Sequence, residues 1–170
     1  MAAIARAKAQ GLPVTASTTW RHLCYPETAL QTFNPEFYVL PPLGTAIDRQ
    51  ALIAALQDGT LDAIAVDHVA YRHEEKAVAL EQAPPGGPGL AEAVPALWRE
   101  LVVPGHLDPA QLWAALTVGP ARCLGGRPLW GWVWVSPTGQ ATPVTAGHKH
   151  LPANPWGRSP MVGCCQEAFG

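Results

Sequence analysis

Apolar positions along the first two-thirds of the chain fall into runs that alternate between helical and strand-like periods. Residues 2–10 are Ala-rich with Ile4 among good helix formers, and Gly11 stands where a C-cap is expected, so a short helix is predicted there. Residues 12–18, apolar and β-branched after Pro13, predict a buried strand. A long polar and aromatic excursion over residues 19–44 carries Pro26, Pro35, Pro41 and Pro42; loops of that length inside compact domains are usually functional. Asp48 is placed as the cap of a helix over residues 49–57, with Leu52, Ile53 and Leu56 at helical spacing and Asp58 and Gly59 closing it. Residues 61–66 (LDAIAV) are apolar without alternation, the mark of a strand covered on both faces of a parallel sheet, and the run ends at Asp67 and His68.

After a Pro/Gly loop at residues 83–89 (APPGGPG), a helix is predicted over residues 90–102 with Val94, Leu97, Trp98 and Leu101 on one side. Pro95 should bend it or delay its start. A further helix over residues 109–116 follows the cap residue Asp108. Beyond Gly125 helix formers thin out, and residues 129–135 (LWGWVWV) read as a strand whose Trp130, Trp132 and Trp134 share one face, expected to be buried against the neighbouring domain. The order helix, strand, helix, strand predicts βα units. The organisation expected is an α/β part over residues 1–125 and a small β-rich tail over 126–170.

Composition narrows the functional classes. At 170 residues the chain is too short for a complete eight-stranded α/β barrel. Charged residues are 14% of it, against roughly 25% in an average chain, and the formal net charge is −2. No basic stripe exists to neutralise phosphates, so nucleic acid is excluded as a partner, and an anionic membrane surface is disfavoured on the same ground. No apolar run is long enough for a spanning helix, and the start does not read as a secretory signal, so a cytoplasmic location is expected. Cys24, Cys123, Cys164 and Cys165 lack CxxC spacing and the last two are adjacent, so all are expected as free thiols.

The strongest local chemical signal is Asp67, directly at the carboxyl end of a predicted buried strand. In parallel α/β folds that end faces the ligand crevice, which suits an acid to metal binding or proton transfer; a loop or cap acid is the alternative. His68 and His73 stand close by without a recognised zinc spacing. His148 and His150 have His-x-His spacing but sit in a Gly/Pro-rich tail, where a solvated turn is the expectation.

Four linked blocks carry a family likeness: VTASTTWRHL (14–23), PPLGTAIDRQALIAALQDGTLDAIAVDH (41–68), EEKAVALEQAPPGGPGLAEAVPALW (74–98) and PARCLG (120–125). In this order and spacing they resemble the C-terminal part of dihydroorotases, metal-dependent cyclic amidohydrolases, and NPWGR (154–158) resembles the ending of cyanobacterial-type members. The resemblance implies an incomplete (β/α)8 amidohydrolase barrel with a small C-terminal β appendage, in which residues 14–18 and 61–66 are the last two barrel strands. It also implies that Asp67 is the catalytic aspartate, binding the metal and taking the proton from the attacking water. Gly86, Gly87 and Gly89 would lie on the loop that closes over the substrate ring through its backbone.

The departures from the pattern concern the same site. Tyr71 stands where the family's Asp-His-Ala-Pro-His motif ends in a substrate-contacting histidine, and Leu40 replaces the asparagine of Asn-Pro-Pro-Leu-Arg, whose arginine is Gly44 here. Of the paired histidines in Pro-His-His-Leu, His22 remains, behind Trp20 and Arg21. The family's remaining metal ligands precede the first residue of this chain, and one aspartate cannot hold zinc, which needs three or four ligands. The resemblance therefore implies hydrolysis of dihydroorotate to N-carbamoyl-aspartate, and its reverse, in pyrimidine biosynthesis. Zinc is the family cofactor, and this chain alone is expected neither to bind it nor to turn over. The alternative is a non-catalytic dihydroorotase-like scaffold or regulatory partner, of aspartate carbamoyltransferase or of a second copy of itself.

Overall fold

The structure, a computed structural model, describes residues 1–126 and the backbone of two short strands further along. It opens with helix α1 (Ala2–Ala9), after which Gly11 takes φ 72°, a left-handed value that glycine adopts without steric cost. No residue of α1 is buried, so the helix is held by side-chain bonds instead. Lys8 Nζ donates to Asp62 Oδ2 at 2.7 Å and to the Gly59 carbonyl at 3.0 Å, while Asp62 Oδ2 also accepts the Ala16 N–H at 2.8 Å.

Strands β1 (Ser17–Thr19) and β2 (Ala63–Ala65) pair in parallel, with Ser17 opposite Ala63 and Thr19 opposite Ala65. The parallel βα arrangement expected from the apolar runs is thus present, but the first strand is shorter than residues 12–18. Leu12 and Val14 are exposed, because the ladder starts only where Asp62 takes hold of Ala16. Among the described residues nothing ahead of that point pairs with the backbone as a strand.

The excursion after β1 is more ordered than its prolines suggest. Helix α2 (Trp20–Cys24) follows β1 directly and buries Trp20, Arg21, Leu23 and Cys24; two 3₁₀ turns follow at Glu27–Thr32 and Pro35–Phe37. Helix α3 (Ala46–Gln57) begins earlier than expected, since its N-cap is Thr45 and Asp48 is the third residue of the helix. Thr45 Oγ1 accepts the Asp48 N–H at 3.2 Å, and Asp48 Oδ2 accepts the Thr45 N–H at 2.9 Å, so two otherwise orphaned donors are satisfied. Replacing Thr45 by Ala is expected to cost about 1 kcal/mol, read as a lowered denaturation midpoint with unchanged slope.

A single turn of helix, α4 (His73–Lys76), precedes the Pro/Gly loop. Helix α5 (Ala93–Leu97) then starts three residues later than residue 90 and continues as a π-helical turn, Trp98–Val102. Pro95 delays the start as expected: it lacks an N–H and tolerates only the first turn of a helix. Helix α6 (Pro109–Leu116) is capped by Asp108 in a capping box with Gln111. Helix α7 (Val118–Cys123) was not among the expected elements, and Gly119 and Pro120 within it are poor helix formers. The structure shows why glycine is there: a Cβ at residue 119 would run into the carbonyl oxygen of Asp62.

The core lies between α2, α3, α5, α6 and one face of β2, with Leu23, Leu97, Leu101 and Leu112 fully buried. Phe37, Val39 and Leu43 form a second cluster. Tyr25 links the two, edge-on to Trp20 at 6.0 Å and to Phe37 at 5.1 Å. Among the described residues no helix is long and apolar enough to cross a membrane, and Cys24 and Cys123 are free thiols. In the tail, β3 (Trp134–Val135) pairs antiparallel with β4 (Val162–Gly163). The side chains of Trp130, Trp132 and Trp134, the His148–His150 pair, Cys164 and Cys165 lie outside the described residues.

Candidate active site

Register brings the site together. Because Thr19 lies opposite Ala65, the residues after each strand, Trp20 and Arg21 on one side and Val66 and Asp67 on the other, emerge at the same carboxyl end of the sheet. Asp67 is exposed and has φ 49°, a left-handed conformation that Asp tolerates better than most residues. The chain turns there, and His68 forms a bridge with Gly87, so the Pro/Gly loop runs beside the extension of β2 as a strap.

Every carbonyl of that strap from Pro84 to Gly89 accepts a hydrogen bond from the protein. Lys76 Nζ donates to Pro84 at 2.9 Å and to Gly86 at 2.6 Å. Tyr71 Oη donates to Pro85 at 3.0 Å, and the Val69 N–H to Gly87 at 3.0 Å. Arg21 Nη2 donates to Pro88 at 2.5 Å, and the Ala93 N–H to Gly89 at 2.8 Å. In the other direction, the Gly86 N–H donates to the Tyr38 carbonyl at 2.7 Å and the Gly89 N–H to His68 Nδ1 at 3.0 Å. Since a backbone N–H is the donor to His68, that ring nitrogen is the acceptor.

The strap is also packed from beneath. A Cβ at Gly87 would collide with Glu36 Oε2 and lie 3.1 Å from Arg21 Nη2; one at Gly89 would lie 2.8 Å from Trp20 Nε1 and 2.9 Å from the Val66 carbonyl oxygen. Gly86, at φ 92°, adopts a backbone conformation that side chains disfavour. Glycine here lets the strap lie flat on the chain's own groups.

Two cations are buried under it. The Arg21 guanidinium, 4% exposed, stacks on the Trp20 ring with 4.6 Å to the centroid. Burial works against its charge, and the carboxylates of Glu36, Glu92 and Asp67 favour it. Lys76, 8% exposed, is lowered by burial and by Arg21 and supported by Glu36, and its ammonium lies 5.5 Å from the centre of the Tyr71 ring. Burial in turn pushes the Glu36 carboxyl up, against the pull of Lys76 and Arg21.

Of the residues expected at the site, Asp67, Tyr71, Gly86 and Gly87 come together around the strap. Tyr71 spends its hydroxyl on Pro85. Leu40 is 61% exposed and precedes a cis Leu40–Pro41 peptide. His22 holds that turn: its Nδ1 lies 2.6 Å from Thr19 Oγ1, and its Nε2 lies 3.1 Å from the Pro41 and 3.2 Å from the Pro42 carbonyl oxygens. Sequence reasoning did not single out Glu36, Lys76 or Glu92, nor assign Arg21 a role, because isolated charges on short turns have no periodic signature.

The donor set does not by itself make a metal centre. Among the described residues no three His, Cys, Asp or Glu side chains converge as ligands. Asp67 has the Arg21 guanidinium as a charged neighbour, and His22 uses both ring nitrogens within the protein. A hollow of about 190 Å³ lies at the opposite end of β2, lined by Leu56, Leu61, Asp62, Leu107 and Gln111 among others, and none of the site residues lines it.

A parallel strand pair with its polar groups gathered at the carboxyl ends is the arrangement found in amidohydrolase barrels, and solved structures agree. The chain superposes on the dihydropyrimidinase from Brevibacillus agri NCHU1002 with TM-score 0.68 and 25% identity, covering 82% of this chain and 34% of that one. For the L-hydantoinase (dihydropyrimidinase) from Arthrobacter aurescens the values are 0.66 and 24%, covering 72% and 28%. The fold is therefore part of a (β/α)8 amidohydrolase barrel, as in these two neighbours.

Sequence comparison narrows this further. The chain is 42% identical over 154 residues to a dihydroorotase from Thermus aquaticus, covering 91% of this chain and 35% of the relative. It is also 42% identical over 130 residues to a probable dihydroorotase-like protein from Synechocystis sp., covering 72% and 30%. No family model matches. The chain belongs to the dihydroorotase family, and it spans about a third of the length of these curated relatives.

Proposed function

We propose that the chain contributes the carboxyl-end wall of a dihydroorotase-like site, with Asp67 as the base that takes a proton from water attacking a ring amide. What carries this reading is the position of Asp67 at the carboxyl end of β2, beside a backbone strap held in one shape. In the ring opening of dihydroorotate, hydroxide adds to the amide carbonyl carbon as Asp67 accepts the water's proton. The C–N bond then breaks, and the proton passes to the leaving nitrogen, giving N-carbamoyl-aspartate. Family likeness implies zinc at such a site, but among the described residues one carboxylate beside a guanidinium does not make a centre for it, so the chain alone is expected to be inactive without the rest of a barrel.

The test is complementation. The chain alone is expected to leave dihydroorotate unopened, and turnover is expected when a Thermus aquaticus dihydroorotase fragment lacking the matched third is supplied. Absence of turnover in a reconstituted complex of confirmed stoichiometry overturns the enzymatic reading. One observation favours a second reading, a non-catalytic scaffold associating with aspartate carbamoyltransferase or with a second copy. Tyr71 turns its hydroxyl onto the strap and Leu40 offers no hydrogen bond from its side chain, so neither does the work of the polar residue it replaces. Co-sedimentation with the carbamoyltransferase, unaffected by Asp67→Asn, is the result this second reading expects.

A further inference from the structure

We infer that Lys76 is a positioning residue that shapes the strap over residues 84–89 into a fixed wall of the site. The inference deepens the proposed function and rests on it for the meaning of that wall. Three N–H donors of one ammonium meet three carbonyl oxygens, those of Pro35 at 2.9 Å, Pro84 at 2.9 Å and Gly86 at 2.6 Å. An ammonium has three donors and no acceptor, so its hydrogen-bonding capacity is fully used.

These acceptors come from two separate segments. Pro35 opens the 3₁₀ turn within the excursion after β1, and Pro84 and Gly86 belong to the strap. Lys76 therefore ties the excursion to the strap, and Glu36, the residue after Pro35, supplies the compensating charge next to Gly87. The charged groups facing the ammonium are Glu36 from that turn and Arg21 from α2, with the Tyr71 ring on its own segment. Carbonyls drawn inward onto a buried cation leave the strap no solvent-exposed conformation of similar energy, since opening would strand the charge among unpaired groups.

The experiment is amide hydrogen exchange on the full chain without substrate, comparing Lys76→Met and Lys76→Arg with the parent. Met keeps the length of the stem and removes every donor; Arg keeps the charge. In Lys76→Met, exchange of the Gly86 and Gly89 amides is expected to speed up by about tenfold or more, with the amides of α3 and α6 unchanged. Lys76→Arg is expected to restore at least part of the protection, which a purely space-filling role would not produce. Unchanged strap exchange in Lys76→Met overturns the inference, and so does an equal rise across α3 and α6. If Lys76→Met fails to fold, Lys76→Ala with n-propylammonium decides the matter: added amine slows strap exchange if the ammonium is the template, and has no effect if it is not. Because no turnover is measured, failure here is separate from failure of complementation.

Discussion

Asp67→Asn, in a complemented barrel, is expected to lower ring opening of dihydroorotate by about a hundred- to ten-thousandfold, the range supplied by a positioned general base. The asparagine side chain keeps the shape of the aspartate and tolerates the same left-handed backbone, so the φ of 49° needs no adjustment. Its amide cannot accept the water's proton at neutral pH. The loss should therefore fall on kcat, with denaturant stability within about 0.5 kcal/mol of the parent, as for other exposed positions. A variant that retains most of its turnover would show that another group takes the proton. A variant that loses stability in step with turnover would show that Asp67 holds the turn after β2 together and contributes no chemistry.

How far the site was legible follows from what kind of signal each residue leaves. The residues 61–66 run announced a covered parallel strand, and so placed Asp67 at its end before any coordinates, because burial on both faces removes alternation from the sequence. Asp108 with Pro109 announced α6 through capping chemistry. Helix α7 left the opposite signal. Gly119 is there for the closeness of the Asp62 carbonyl, a tertiary demand that mimics a helix breaker. The strap was visible as a Pro/Gly loop, but the donors that hold it come from residue 21, residues 69–76 and residue 93, distances along the chain that no local pattern connects. Arg21 in particular looked like the loss of a histidine, whereas the structure uses it as a buried anchor for Pro88.

That anchor leads to the second large effect: Arg21→Met is expected to destabilise the fold by about 3 kcal/mol or more, because removing one member of a buried charge group leaves its partners uncompensated. Methionine fills most of the volume over Trp20, so the cost would come from Glu36 and Glu92 and from the unpaired Pro88 carbonyl, with little cavity contribution. The pH dependence separates these sources. Burial raises the Glu36 carboxyl above its unfolded value, so the stability it contributes is present below the ordinary glutamate range and is lost as pH rises through the folded value. Without Arg21 the carboxyl should rise further, and the deficit of Arg21→Met should be smallest in mild acid and grow toward neutrality. Adding Glu36→Gln should flatten that profile and recover part of the loss. Denaturant midpoints of the two variants from pH 4 to 8 check this. A deficit that is the same at every pH would assign the cost to the Pro88 hydrogen bond, and the ionic account of the buried cluster would then be wrong.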